Sequence, residues 1–149
     1  VNLAAIYRPL NNIFLNKTME KIRKNYICKV QIKKGKSGTR DLLKHFKKGY
    51  SIALMIDQRV SEGAQVKLFN NNAYTTTIPA QIVKKYNCEV VPVYIYRLNK
   101  SFFKMIVYKP IKFEKDISIE NITQELNYKL EKMIIKNPEQ WIWSHDRWK

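Results

Sequence analysis

The sequence predicts an α/β protein: a mixed, mostly parallel sheet flanked by helices, with an antiparallel hairpin towards the C-terminus. Three observations lead there. Segments that read as strands alternate with segments of helical period along most of the chain. Ser51-Ile52-Ala53-Leu54-Met55-Ile56 is almost wholly apolar, as a central parallel strand covered on both faces requires. Two extended runs, Glu89 to Leu98 and Phe102 to Lys109, are separated only by Asn99-Lys100-Ser101, a hairpin connection.

Taken in order, residues 1 to 7 read as a strand ended by Pro9, with Arg8 emerging at its C-terminal end. From Asn11 to Asn25, Ile13, Phe14, Met19 and Ile22 recur among Lys and Arg at near-helical spacing, which predicts an amphipathic helix. Lys29-Val30-Gln31-Ile32 alternates as a strand does, and Lys33-Lys34-Gly35-Lys36-Ser37-Gly38 is a basic, glycine-containing turn. Ser37 or Thr39 is expected to cap a helix carrying Leu42, Leu43 and Phe46 and stopped by Gly49. After the apolar strand and its Asp57-Gln58-Arg59 terminus come a polar loop to Gly63, a short strand through Val66-Lys67-Leu68-Phe69 and an Asn70-Asn71-Asn72 turn. Thr75-Thr76-Thr77 supplies a cap for a helix that tolerates Pro79 in its first turn. Ser118 opens the last long helix, with Ile122, Leu126, Leu130, Met133 and Ile134 on one stripe, closed at Asn137-Pro138.

The 149 residues are 45% hydrophobic and 12% aromatic, enough to build a core and to exclude a disordered tail. Val1-Asn2-Leu3-Ala4-Ala5-Ile6 reads as the middle of a buried strand, so residues 1–149 are expected to be the C-terminal part of a single domain. The formal charge of +16 favours polyanionic partners: nucleic acid, anionic membrane, phosphorylated lipid or an acidic carrier protein. The sign does not choose among them, because abundant Lys, Asn and Ile with only 4 Gly is also what an A/T-biased genome encodes. Cys28 and Cys88 sit in apolar surroundings and read as buried free thiols, in keeping with a reducing compartment. No apolar run approaches the roughly 18 residues that span a bilayer, so any anchor is upstream or interfacial.

In an open α/β sheet, ligands gather beyond the C-terminal strand ends. Arg8 and Asp57 stand at two such ends. Each has a plainer reading beside it, Arg8 as a solvated strand-end cation and Asp57 as ordinary turn chemistry. Lys33, Lys34 and Lys36 beside Gly35 and Gly38 suit a phosphate grip or a solvated basic turn. The basic side of residues 11 to 25, with Lys17, Lys21, Arg23 and Lys24, suits anionic headgroups.

Tyr7-Arg8-Pro9, Asp57-Gln58 behind an apolar strand, Val66-Lys67-Leu68-Phe69, Thr75-Thr76-Thr77-Ile78-Pro79-Ala80 and Val90-Val91-Pro92-Val93 occur in that order. The chain then closes with Pro138-Glu139-Gln140-Trp141-Ile142-Trp143-Ser144-His145-Asp146-Arg147-Trp148-Lys149. Together these resemble the late acyltransferases of lipid A biosynthesis, the lauroyl and myristoyl transferases, and the closing pattern is the most specific part. Two departures are Lys67, where the family usually has Pro, and Asn70, where it usually has Gly.

The resemblance implies a glycerolipid acyltransferase-like fold. It implies an O-acyltransferase of lipopolysaccharide biosynthesis that moves a fatty acyl chain from an acyl carrier protein thioester to a hydroxyl of a lipid A precursor. Its place would be the anionic membrane surface, on the cytoplasmic face of the bacterial inner membrane, without cofactor, metal or nucleic acid. Arg8 and Asp57 match the family's active-site Arg and Asp, and Arg59, Lys33, Lys34, Lys36 and Arg147 are the substrate-binding candidates. Arg147 and Trp148 are also expected to dock the closing segment on the domain.

The family's His-x4-Asp/Glu motif, whose histidine deprotonates the acceptor hydroxyl, has no counterpart here. Tyr50 stands five residues after His45, and the same step from His145 runs past Lys149. The pair is therefore expected upstream, and these residues alone are expected to be inactive. His145, amid Trp141, Trp143 and Trp148, reads as structural. Two other classes compete: a non-catalytic basic membrane-surface protein, which the missing motif favours, and a nucleic-acid-binding module. The latter lacks any helix-turn-helix, zinc-ligand or aromatic-basic sheet signature, and the basic residues are dispersed.

Overall fold

In a computed structural model, residues 1–148 are described; Lys149 and the side chain of Lys36 lie outside the described residues. The chain forms two compact units, Val1–Met55 and Ile56–Lys149. The architecture is mixed α/β, but the single mixed sheet expected from the strand pattern is instead three small sheets, one parallel and two antiparallel.

The first unit runs β1 (Leu3–Tyr7), α1 (Ile13–Tyr26), β2 (Val30–Lys33), α2 (Lys36–Lys47) and β3 (Ser51–Ala53). Both neighbours of β1 are parallel to it, in the order β2-β1-β3, with Tyr7 opposite Lys33 and Ala5 opposite Ala53. Thus β1, not the apolar 51–56 run, is central here, and β3 stops three residues short because Leu54 to Ile56 leave the ladder. Helix α1 starts where Asn12 accepts from the amides of Phe14 and Leu15, at 3.0 and 3.1 Å. Helix α2 begins earlier than expected, at a Gly35 N-cap with φ 138°, and neither Ser37 nor Thr39 caps it. Gly38 lies buried against the end of β2, where a Cβ would collide with the Lys33 carbonyl oxygen. Gly49 ends α2 as expected, at φ 80° with its amide on the Phe46 carbonyl. Ala4, Ile32 and Leu42 are buried between sheet and helix.

The second unit runs β4 (Ala64–Leu68), β5 (Asn71–Thr75), α3 (Ile78–Tyr86), β6 (Val93–Asn99), β7 (Phe102–Val107), α4 (Ile119–Ile134) and a short 3-10 turn at Pro138–Gln140. The expected Asn70-Asn71-Asn72 turn sits one residue earlier. Leu68 pairs with Asn71, and Phe69 and Asn70 form the two-residue loop at φ 51° and 62°, both positive as a type I′ hairpin demands. Asn70 is suited to that region; Phe69 is not. Its amide donates to Glu131 Oε1 at 2.7 Å and its ring packs on Trp141 and Trp143, so tertiary contacts hold it there. The hairpin of β6 and β7 forms as expected. Cys28 and Cys88 are free, as expected, but only half-buried.

Helix α4 is capped by Ser118, whose Oγ accepts from the Asn121 amide at 3.1 Å. Its stripe serves both core clusters of this unit: Ile122 and Leu126 with Ala80 and Val83, then Leu130 and Ile134 with Leu68 and Ala73. Leu126→Ala should therefore lower unfolding free energy by about 2 to 5 kcal/mol. Ile135, the 65% exposed C-cap residue of the same helix, should tolerate Ala within about 0.5 kcal/mol. Denaturant titration of both variants checks this; equal losses would show that α4 is not the spine of the core.

Candidate functional site

The parallel sheet of the first unit gathers its C-terminal strand ends on one edge. Tyr7 lies opposite Lys33 there, and the Lys34 amide donates to the Tyr7 carbonyl at 2.9 Å. Arg8, one residue beyond, therefore shares this edge with Lys33 and Lys34, and all three are exposed. Beneath them lies a small polar lattice. Tyr7 donates its hydroxyl to Glu20 Oε1 at 2.6 Å, Asn16 donates to the same oxygen at 2.8 Å, and Lys33 Nζ stands 3.4 Å from it. The Arg23 guanidinium lies over the Tyr7 ring at 5.0 Å.

Glu20 was not singled out by its sequence surroundings, although it is the single acid in α1 and stands four residues after Asn16, one helical turn apart. The hydrogen bond from Tyr7, followed by that from Asn16, holds its carboxyl below the usual glutamate range. Conversely, burial and the bond to Glu20 push the Tyr7 phenol up to about 12. The lattice fixes the residue next to Arg8, so the guanidinium leaves a rigid strand end rather than a loose loop.

In the second unit, Asp57 is half-buried at the start of the chain's turn towards β4, and Arg59 is exposed with its guanidinium over the Tyr74 ring at 5.5 Å. Arg147 is no surface cation. It is 0% exposed, donating from Nη1 to the Ile56 carbonyl at 3.0 Å and from Nη2 to Thr75 Oγ1 at 2.7 Å. Trp148 Nε1 donates to the Leu68 carbonyl at 3.1 Å, and Phe69, Trp141, Trp143 and Trp148 form one aromatic cluster. The closing segment therefore docks on the β4–β5 hairpin, as expected of Arg147 and Trp148.

Neither histidine has a carboxylate five residues on. His45 Nδ1 lies 2.8 Å from the Asp41 carbonyl, which makes that nitrogen the donor, and its ring meets Tyr50 edge-on at 5.2 Å. His145 is exposed, its backbone amide closing a turn on the Ile142 carbonyl. Among the described residues, no three His, Cys, Asp or Glu side chains gather as a metal set. A hollow of about 500 Å³ lies between the β6–β7 hairpin and the 3-10 turn, lined by Ile95, Arg97, Leu98, Phe103, Glu139 and Gln140.

The Tyr7–Glu20 bond has a spectroscopic signature. Tyr7 is raised in the folded chain, so its contribution to stability is complete below the ordinary tyrosine range near pH 10 and is lost as pH rises towards about 12. The ultraviolet phenolate titration of the protein minus that of Tyr7→Phe should show a midpoint near 12. Glu20→Gln should bring it down. A Tyr7 midpoint near 10 would contradict the lattice.

A search of curated proteins finds no match to this chain. A family model does match, across residues 1–149, and its description is bacterial lipid A biosynthesis acyltransferase. The match covers Arg8 just past the end of β1, Asp57 in the bend four residues beyond β3 rather than at a strand end, the β4–β5 hairpin and the aromatic closing segment alike. The chain belongs to the bacterial lipid A biosynthesis acyltransferase family.

Proposed function

We propose that this chain is the C-terminal part of an acyltransferase domain that transfers a fatty acyl group from an acyl carrier protein thioester to a hydroxyl of a lipid A precursor. The observation that carries the reading is the family match together with Arg8, exposed at the C-terminal edge of a parallel sheet beside Lys33 and Lys34. In such a reaction the acceptor oxygen attacks the thioester carbonyl, a C–O bond forms, the C–S bond breaks and the thiolate leaves. Negative charge grows on the carbonyl oxygen on the way. A guanidinium on a rigid strand end offers two parallel donors to that oxygen or to a substrate phosphate. Lys33 and Lys34 add positive potential at the same edge, and Arg59 adds a more general attraction for anionic substrate.

The proton of the attacking hydroxyl needs a base, and neither His45 nor His145 has the motif's carboxylate five residues on. We place that base outside these residues, in a His-x4-Asp/Glu pair. Among the described residues no helix is long and apolar enough to cross a membrane. Helix α1 exposes Ile13, Phe14 and Leu15 in its first turn, Phe14 to 88%, and Lys17, Lys21 and Lys24 along its length. That combination suits an anionic lipid surface, each cation contributing about 1 kcal/mol near it. The cytoplasmic face of the inner membrane is where a carrier-protein thioester and a membrane-bound acceptor meet. Acidic carriers and anionic lipids both suit the +16 charge. Nucleic acid is not part of this reading.

Two outcomes test it. The 149-residue chain alone, given acyl carrier thioester and lipid A precursor, should yield no acylated product; clear turnover would place the base within it. In the full-length enzyme, Arg8→Lys should lower turnover roughly a hundred- to a thousandfold, because Lys keeps the charge but loses the planar fork. Arg59→Lys should change it little. Turnover is measured at saturating substrate with folding checked by thermal unfolding; a stable Arg8→Lys enzyme with near-normal turnover would reduce Arg8 to a solvated strand-end cation.

A further inference from the structure

Arg147 sits where a charge is hardest to keep. A guanidinium cannot shed its proton at any ordinary pH, so a fully buried one must be matched by acceptors and by countercharge. Two acceptors are in place, the Ile56 carbonyl and Thr75 Oγ1. Thr75 is itself complete, since its hydroxyl also accepts from Asn127 Nδ2 at 3.0 Å and donates to the Ala73 carbonyl at 3.4 Å. Nε of Arg147 is buried with no hydrogen-bond partner among the described residues.

The Ile56 carbonyl is the peptide that leads directly into Asp57, so the guanidinium grips the backbone immediately ahead of that carboxylate. The hydrogen bonds of the Arg147 guanidinium go to the carbonyl ahead of the carboxylate and to Thr75. Guanidinium and carboxylate still sense one another. Burial pulls Arg147 below the usual guanidinium range, and the nearby Asp57 charge pulls it back.

We propose that Arg147 is a positioning residue that fixes the Ile56-Asp57 turn from beneath, so that the closing segment of the chain sets where the Asp57 carboxylate stands in the acyltransferase site. This rests on the reading of Asp57 as an active-site group. Arginine is required because its donors diverge to two acceptors on separate segments, Ile56 and Thr75, and a lysine offers one nitrogen. The assignment replaces substrate binding by Arg147 with an indirect role. A side chain that is 0% exposed and hydrogen-bonded to its own domain offers no face to an incoming lipid.

The test uses Arg147→Lys in the full-length enzyme, with the folded fraction measured by thermal unfolding and turnover expressed per folded molecule. The expected result is a fall in kcat of about ten- to a hundredfold, as small misplacements at reacting centres produce. KM for both the acyl thioester and the lipid acceptor should stay the same. Hydrogen exchange should quicken at the amides of residues 57 to 59 while the core of α4 stays protected. Raised KM at unchanged kcat would show that Arg147 holds substrate, and unchanged kcat and KM would show a purely structural pin; either overturns the proposal. Unaltered exchange at residues 57 to 59 overturns the tether itself.

Asp57→Asn, measured in parallel, separates the two layers. If it keeps full turnover while Arg147→Lys still loosens residues 57 to 59, the reading of Asp57 has failed and the tether stands. Should Arg147→Lys not fold, Thr75→Val removes one acceptor and leaves the guanidinium in place. It should lower kcat in the same direction with KM unchanged, and a Thr75→Val enzyme of normal kcat overturns the proposal.

Discussion

The constraint on which the second unit depends is the burial of a permanent charge. Arg147 cannot be neutralised by losing a proton, so the chain around it must present oxygen atoms in fixed places. One comes from the Ile56 carbonyl and the other from the last residue of β5. Asn127 of α4 meets the same Thr75 hydroxyl, so hairpin, helix and closing segment share one hydrogen-bonded centre. Removing any member leaves a buried polar group alone, which is more damaging than never having built the network.

Around that centre the apolar packing is ordinary and divided. Helix α4 lays its stripe across both core clusters, and Ile56 packs against each of them. The residue whose carbonyl accepts from Arg147 is thus also fixed by its own side chain. The aromatic cluster closes the other side, with Trp148 donating to Leu68 and the indole rings of Trp141 and Trp143 meeting edge-on at 4.6 Å. The same rings hold Phe69 in a backbone region that only tertiary contact makes tolerable.

The first unit solves a different problem, that of presenting positive charge on a firm base. Two neighbouring parallel strands, β1 and β2, bring Arg8, Lys33 and Lys34 to one edge. Mutual repulsion is moderated by Glu20, which lies within 3.4 Å of Lys33 and accepts from Tyr7 and Asn16. A lone acid on a basic helix therefore does more here than offset one charge. It locks the tyrosine that precedes Arg8.

Element types, the Ser118 cap, the α4 stripe and the β6–β7 hairpin were all legible in the sequence, because each follows from residues close together in the chain. So was the family, through a closing pattern too specific to arise by composition. The strand end bearing Arg8 was legible for the same local reason, whereas Asp57 lies four residues beyond the end of β3 rather than at it. The sequence could not show that β3 would stop at Ala53, that Phe69 would enter the hairpin turn, or that Thr39 would leave its helix uncapped while Gly35 began it. Nor could it show that Glu20 would meet Tyr7, or that Arg147 would be the most deeply buried of the proposed site residues rather than a cation facing substrate. Those depend on sheet partners and on which atoms lose their water when distant segments meet. Local pattern determined what each segment is; desolvation, which exists only once the chain has packed, decided which charges stay at the surface and which become the frame.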